Sequence, residues 1–156
     1  MNLEMRLEGW DKLADAWQRA PQIVEEELTV FIEEESAHMT GEIKALTPKK
    51  SGALQDSIEP REIEVGPLGV SALIGTPLDY ALPVEFGARP HDIYPKPGNK
   101  ALHFMMRGVP IFVKKVHHPG MKGFFMFTQA LAANREQIQQ KLNAAIERIF
   151  ARLGAA

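Results

Sequence analysis

From Gln22 to Leu46 the apolar side chains Val24, Leu28, Phe31, Ile32, Met39, Ile43 and Leu46 recur at steps of three, four and seven. That period places them on one stripe of an α-helix, and a helix with one apolar stripe must bury it against another element. A second stripe closes the chain. Leu131, Ile138, Leu142, Ala145, Ile149 and Leu153, widened by Ile146 and Phe150, predict a helix running from Phe124 to Leu153. Two long helices therefore flank whatever lies between them.

Upstream, Leu3, Leu7, Trp10, Leu13, Ala14 and Trp17 also keep helical spacing. Pro21 is expected to end that segment or to open the next, since proline suits a first helical position. Glu25, Glu26 and Glu27 would then lie in first turns, where carboxylates meet the positive end of the helix dipole. Thr47-Pro48 stops the helix, because the residue before a proline is driven out of the helical region. Lys49-Lys50-Ser51-Gly52 reads as a turn and Ala53 to Ser57 as a single helical turn. Ile58 to Val65 and Val70 to Thr76 read as strands joined through Gly66-Pro67-Leu68-Gly69, with Pro60 marking an edge. Asp79 to Phe86 suits a short helix or packed loop. A second hairpin is expected from Ala101 to Met106 and Ile111 to Val116, and a turn at His117-His118-Pro119-Gly120. The pattern is α+β: a small antiparallel sheet of about four strands flanked by a long N-terminal helical region and a long C-terminal helix. One domain, 1–156, is expected, divided into N-terminal helices (1–46), a β-rich region (47–123) with a long loop at 87–100, and the C-terminal helix (124–153).

The chain has 156 residues, 45% of them hydrophobic and 24% charged, an ordinary balance for a packed domain. It contains no cysteine, which excludes disulfides, Cys-based zinc sites and thiol catalysis. The N-terminus lacks the basic and continuous apolar regions of a signal peptide, and nothing approaches the roughly 18 apolar residues of a membrane span. A cytoplasmic place of synthesis and no membrane partner are expected. The net charge of −2 is unevenly laid out. Residues 1–46 carry 11 acidic and 4 basic side chains, whereas Arg89 to Lys122 carries seven basic side chains against Asp92 alone. Such polarity suits head-to-tail contact between copies, and equally a solvated acidic helix and a solvated basic loop.

Residues 76–120 are dense in proline, glycine, histidine and aromatics, yet they lack the grouping an active site needs. The histidines keep no metal-ligand spacing. His91 and His118, each beside a proline, are expected to hydrogen-bond loop backbone and set its shape. Asp79 with Glu85, or Glu85 with Asp92, has no nucleophile at a recognisable offset, and no serine sits in an elbow motif. No enzyme activity and no cofactor are expected. Lys96, Lys100, Arg107, Lys114, Lys115 and Lys122 interleave with Tyr94, Phe104 and Phe112, a pattern that can track a phosphate backbone. It can equally be inward aromatics alternating with outward lysines. Phe124-Phe125-Met126-Phe127 cannot all face one side of a helix, so one or two should be exposed in an isolated subunit.

Four segments in register resemble the tail-component family of long-tailed bacteriophages, the small tail-completion or neck proteins of the head–tail junction. They are Thr47-Pro48-Lys49-Lys50-Ser51-Gly52-Ala53-Leu54-Gln55-Asp56-Ser57-Ile58, then Tyr80-Ala81-Leu82-Pro83-Val84-Glu85-Phe86-Gly87, then Pro90 to Lys96 with Lys100-Ala101-Leu102-His103-Phe104, and last Val116-His117-His118-Pro119-Gly120 ahead of Phe124. The family commonly has an acidic residue and Thr before the first glycine, where this chain has Lys49-Lys50-Ser51. The resemblance covers residues 22–153 and carries no catalytic residue. It implies a virion protein, assembled in the host cytoplasm, that forms a ring, by the six-fold symmetry of such tails a hexamer. The ring would join the tail tube to the head connector around a lumen that DNA crosses. A tail terminator or head-closure protein is the alternative at the same junction, and a DNA-binding or nuclease-type accessory protein is a third. The candidate assembly residues are Tyr80, Glu85, Phe86, Arg89, His91, Tyr94, Lys96, Lys100, Lys114, Lys115, His118 and Phe124.

Overall fold

A computed structural model describes residues 9–66 and 69–154. Leu3 and Leu7 of the expected first helix, and Pro67 and Leu68 of the expected turn, lie outside them. The fold is α+β. Its elements gather into two compact units, one drawn from Met1–Pro77 and Met126–Ala156, the other from Leu78–Phe125.

The first unit is built on α1 (Trp10–Leu46) and α4 (Met126–Gly154), with the helical turn α2 (Ala53–Ser57) and the hairpin of β1 (Glu59–Gly66) and β2 (Gly69–Gly75). The N-terminal region is one helix rather than two, and Pro21 lies inside it. Proline there removes the bond its N–H would give to the Trp17 carbonyl and crowds that carbonyl with its ring. Glu25, Glu26 and Glu27 are consequently mid-helix, away from any helix N-terminus, and their role is different. Arg148 Nε donates to Glu27 at 2.8 Å, and Arg152 donates to Glu27 at 3.0 Å and to Glu26 at 2.7 Å. Further along, Lys141 meets Glu35, His38 meets Asn134, and Thr47 meets Met126. Rising numbers on α1 against falling numbers on α4 make the helices antiparallel.

Their seam follows the expected apolar stripes only in part, since Leu46, Leu131, Ile146 and Phe150 of those stripes are exposed. Ile23, Phe31, Met39 and Ile43 of α1 are buried, as are Met126, Ala130, Ala145 and Ile149 of α4. The end of α1 is closed by Thr47, whose hydroxyl donates to the Ile43 carbonyl at 2.7 Å, and by Gln55 Nε2, which donates to the Lys44 carbonyl at 2.9 Å. Gly52 turns the chain with φ of 88°, so that Leu54 and Ile58 fold under the helix end. The Thr47–Ile58 segment is thus the knuckle of the core. β1 and β2 pair in antiparallel register with a bulge between Pro60 and Glu62, and this brings Ile63 opposite Ala72 and Val65 opposite Val70. Both strands touch α1.

Arg148 and Arg152 hold the Glu27 carboxyl, and Arg152 that of Glu26, below the usual glutamate range. A depressed carboxyl stabilises the fold fully above its unfolded pKa, and the gain is lost as pH falls through the lowered value. Thermal stability of the wild type should therefore fall more between neutral pH and about pH 3 than that of Glu27→Gln. Salt of about 1 M should shrink the difference, because these pairs are exposed. Matching acid profiles of the two proteins at low salt would refute the pairing.

Candidate assembly surface

The second unit has little core, since Glu85 is the one buried side chain among its described residues. It begins with α3 (Ala81–Phe86) and continues as a two-stranded ribbon of three short ladders. β3 (Gly87–Ala88) pairs with β8 (Met121–Lys122), β4 (His91–Ile93) with β7 (Val116–His118), and β5 (Leu102–Met106) with β6 (Val109–Val113). Together with β1 and β2 these are two-stranded pieces, where the sequence suggests one sheet of about four strands. The expected long loop at 87–100 carries β3 and β4 of the ribbon's outgoing side and runs without regular structure over 94–100, and the expected turn at His117-His118 is part of the return strand β7. Proline and glycine interrupt both sides, so each ladder is only two to five residues long.

The ribbon's base is held by glycines at close backbone contacts. A Cβ on Gly87 would lie 2.6 Å from the Met121 carbonyl, and one on Gly120 2.5 Å from the Ala88 carbonyl. Both have positive φ, 85° and 83°. Gly123 approaches Glu85 and Phe86 equally closely, while the Phe124 and Phe125 amides donate to the Val84 and Glu85 carbonyls at 2.9 Å.

The histidines shape this ribbon as their proline neighbours suggest. His91 Nδ1 lies 2.8 Å from the Arg89 carbonyl, and His118 Nδ1 accepts from the Gly120 amide at 3.1 Å. The two rings stack with centroids 5.0 Å apart. Adjacent His117 turns the other way, to Asp92 at 3.0 Å. Asp92 also accepts from Lys115 at 2.7 Å, and this contact above all holds its carboxyl below the usual range and raises the lysine. Lys115 lies 5.9 Å from the centre of the Tyr94 ring.

Paired residues of an antiparallel ladder share a face. Leu102, Phe104 and Met106 therefore share one with Val113, Ile111 and Val109, and that face is wholly apolar. The opposite face carries His103 stacked on Phe112 at 4.7 Å, then Met105 opposite Pro110. Phe112 is 67% exposed, Met105 61% and Val109 59%. A lone ribbon has no second layer to cover it, so the reading of inward aromatics and outward lysines does not describe it. Arg107 and Gly108 form the two-residue tip, both at positive φ (50° and 81°).

Of the candidate residues, Tyr80, Phe86, Tyr94 and Phe124 are exposed aromatics, and Phe86 meets Phe125 edge-to-face at 6.4 Å. Arg89, Lys96, Lys100 and Lys114 are exposed, as is His91, while His118 is half-buried. Glu85 differs: α3 turns it inward, where it is 4% exposed, so its side chain belongs to the packing of the unit. Lys115 is occupied by Asp92. Sequence reasoning missed Leu82, Met105, Met106 and Val109, all exposed. The signal for the last three is present in FMMRGVPIFV, whose strands are apolar at nearly every position instead of every second one.

The chain matches no protein-family model, no curated protein and no solved structure.

The first unit has a surface of its own. Trp17, Pro21, Val24, Leu28 and Val65 line a groove of about 760 Å³ with Glu25 on its wall. Trp17 is 71% exposed and Trp10 66%. No helix among the described residues is long and apolar enough to cross a membrane.

Proposed function

We propose that this protein is an assembly component of a long-tailed phage virion, a tail-completion or neck subunit that forms a ring joining tail tube to head connector. The observation that supports this reading most is the ribbon of the second unit. Large apolar side chains stand exposed along Leu102–Val113, and Leu82, Phe86 and Tyr94 are exposed elsewhere in the same unit, together with basic residues in no ion pair among the described residues. Exposed apolar side chains in this number, set among charges, suit a protein–protein contact. The segments that carry the family resemblance serve architecture in this fold: Thr47–Ile58 closes the core, and Tyr80–Gly87 with Val116–Gly120 builds the ribbon's base. A tail terminator or head-closure protein would present the same kind of surface, and the two are separated by which particle the subunit binds.

Leu82→Asp tests the reading, since Leu82 is exposed in α3 and its removal opens no core. The variant should fold, by circular dichroism and thermal midpoint. Lysates of phage carrying it should contain filled heads and complete tails that fail to join, with infectious titre down at least about thirtyfold, as expected for an interface hot spot worth about 2 kcal/mol or more. Normal joining would sink the proposal. DNA in a lumen would be met by the unpaired Lys96, Lys100 and Lys114, and the free subunit should then bind duplex DNA weakly and lose that affinity steeply with salt.

A further inference from the structure

The second unit's ribbon ends in an apolar tip that carries Arg107, and the first unit carries an apolar groove with Glu25 on its wall. We infer that these are the two halves of one contact between copies: the tip of one subunit, Met105, Met106 and Val109 around Arg107, seats in the groove of the next, with Arg107 facing Glu25. The inference rests on the self-assembly reading above and specifies its interface.

Three observations carry it. First, charge is divided between the halves. The ribbon's one acid, Asp92, is already engaged by Lys115 and His117, which leaves Arg89, Lys96, Lys100, Arg107, Lys114 and Lys122 in no ion pair among the described residues. On α1, Glu26, Glu27 and Glu35 are engaged by α4, but the carboxylates of Asp11, Asp15, Glu25, Glu33 and Glu34 are exposed and make no ion pair with described residues. The positive half meets a negative half on another copy, which steers and orients association. Second, both surfaces are apolar at the centre: the groove by Trp17, Pro21, Val24 and Leu28, the tip by its methionines and Val109. Flexible methionines fill irregular grooves well. Third, Arg107 is an unusual residue for its place. A two-residue hairpin turn with positive φ at both positions favours Asn-Gly or Asp-Gly, and an arginine there accepts backbone strain. A guanidinium at the tip is accounted for by what it reaches. Tip and groove are different patches, so the contact is heterologous and repeats from copy to copy until it closes.

The test is sedimentation of purified full-length protein across a concentration series. Wild type should self-associate. Arg107→Glu and Glu25→Lys should each weaken association at least about tenfold, since like charges then face each other in a desolvated contact. An equimolar mixture of the two should regain it, because every tip then meets a groove of opposite charge. Arg107→Asn should keep or increase amide protection in the ribbon, having the better turn residue, and still associate more weakly than wild type. If the single variants associate like wild type, or the mixture stays dissociated, this pairing is wrong while the self-assembly reading stands. A wild type that remains monomeric at every concentration overturns both.

Discussion

Gly123→Ala should abolish the base of the ribbon while leaving the helical unit folded. The added Cβ would meet the Glu85 carbonyl, the Phe86 carbonyl carbon at 2.6 Å and the Gly87 nitrogen at 2.9 Å. These are backbone atoms, so no rotamer change relieves the clash, and overpacking against fixed neighbours costs about 1–3 kcal/mol or more. The same backbone is fastened by the Phe124 and Phe125 amides to Val84 and Glu85, so moving it away forfeits those bonds as well. A unit whose one buried side chain is Glu85 has little apolar burial to offset such a loss. Hydrogen exchange gives the readout: amides of 87–93 and 116–122 should lose protection by at least about thirtyfold, the equivalent of 2 kcal/mol, while those of α1 and α4 keep theirs. Unchanged protection at 87–93 would mean the close approach at Gly123 is not what holds the ribbon. The variant should also fail to join heads and tails, since the candidate surface is displayed on this base.

The two helices were legible because burial on one side imposes a period that survives in sequence, and because Thr47-Pro48 writes the stop of α1 directly. Pro21 misleads for a physical reason. A lost helix bond of one residue is outweighed when a long helix packs along the following seam from Ile23 to Ile43. The charge clusters were visible, but their partners were not. Glu26 and Glu27 look like dipole-capping acids until the helix is known to begin at Trp10, and only the antiparallel docking of α4 supplies Arg148 and Arg152. The ribbon was the least legible part. Its ladders join residues distant in the chain, such as Gly87 with Lys122, and are too short to set up an alternation of their own. The histidine roles were readable because an X-Pro or Pro-X neighbour leaves few places for the ring to bond. The exposed side chains of α3 and the hairpin were hidden by their composition, since an apolar residue in a strand is ordinarily credited to the core.

Lys141→Met should destabilise the first unit by about 3 kcal/mol, although lysine is replaced by a residue of similar length and greater hydrophobicity. Glu35 is the reason. Its side chain is 6% exposed in the seam between α1 and α4, its Oε2 accepts from Lys141 Nζ at 2.6 Å, and its Oε1 has no hydrogen-bond partner. With the ammonium gone, a buried carboxylate keeps its desolvation cost and loses its counter-charge. Lys141 itself is 40% exposed, so its own removal from the seam costs little, and the loss falls on Glu35. For a chain of this size the expected drop in thermal midpoint is about 6–12 °C. The double variant Glu35→Leu with Lys141→Met should recover most of that, or exceed wild type, because an apolar pair satisfies the seam that a half-satisfied ion pair does not. A Lys141→Met protein as stable as wild type would show that water reaches Glu35. A double variant no better than the single would show that the pair is worth more than its replacement, and that specifying the pairing of α1 with α4 is the part it plays.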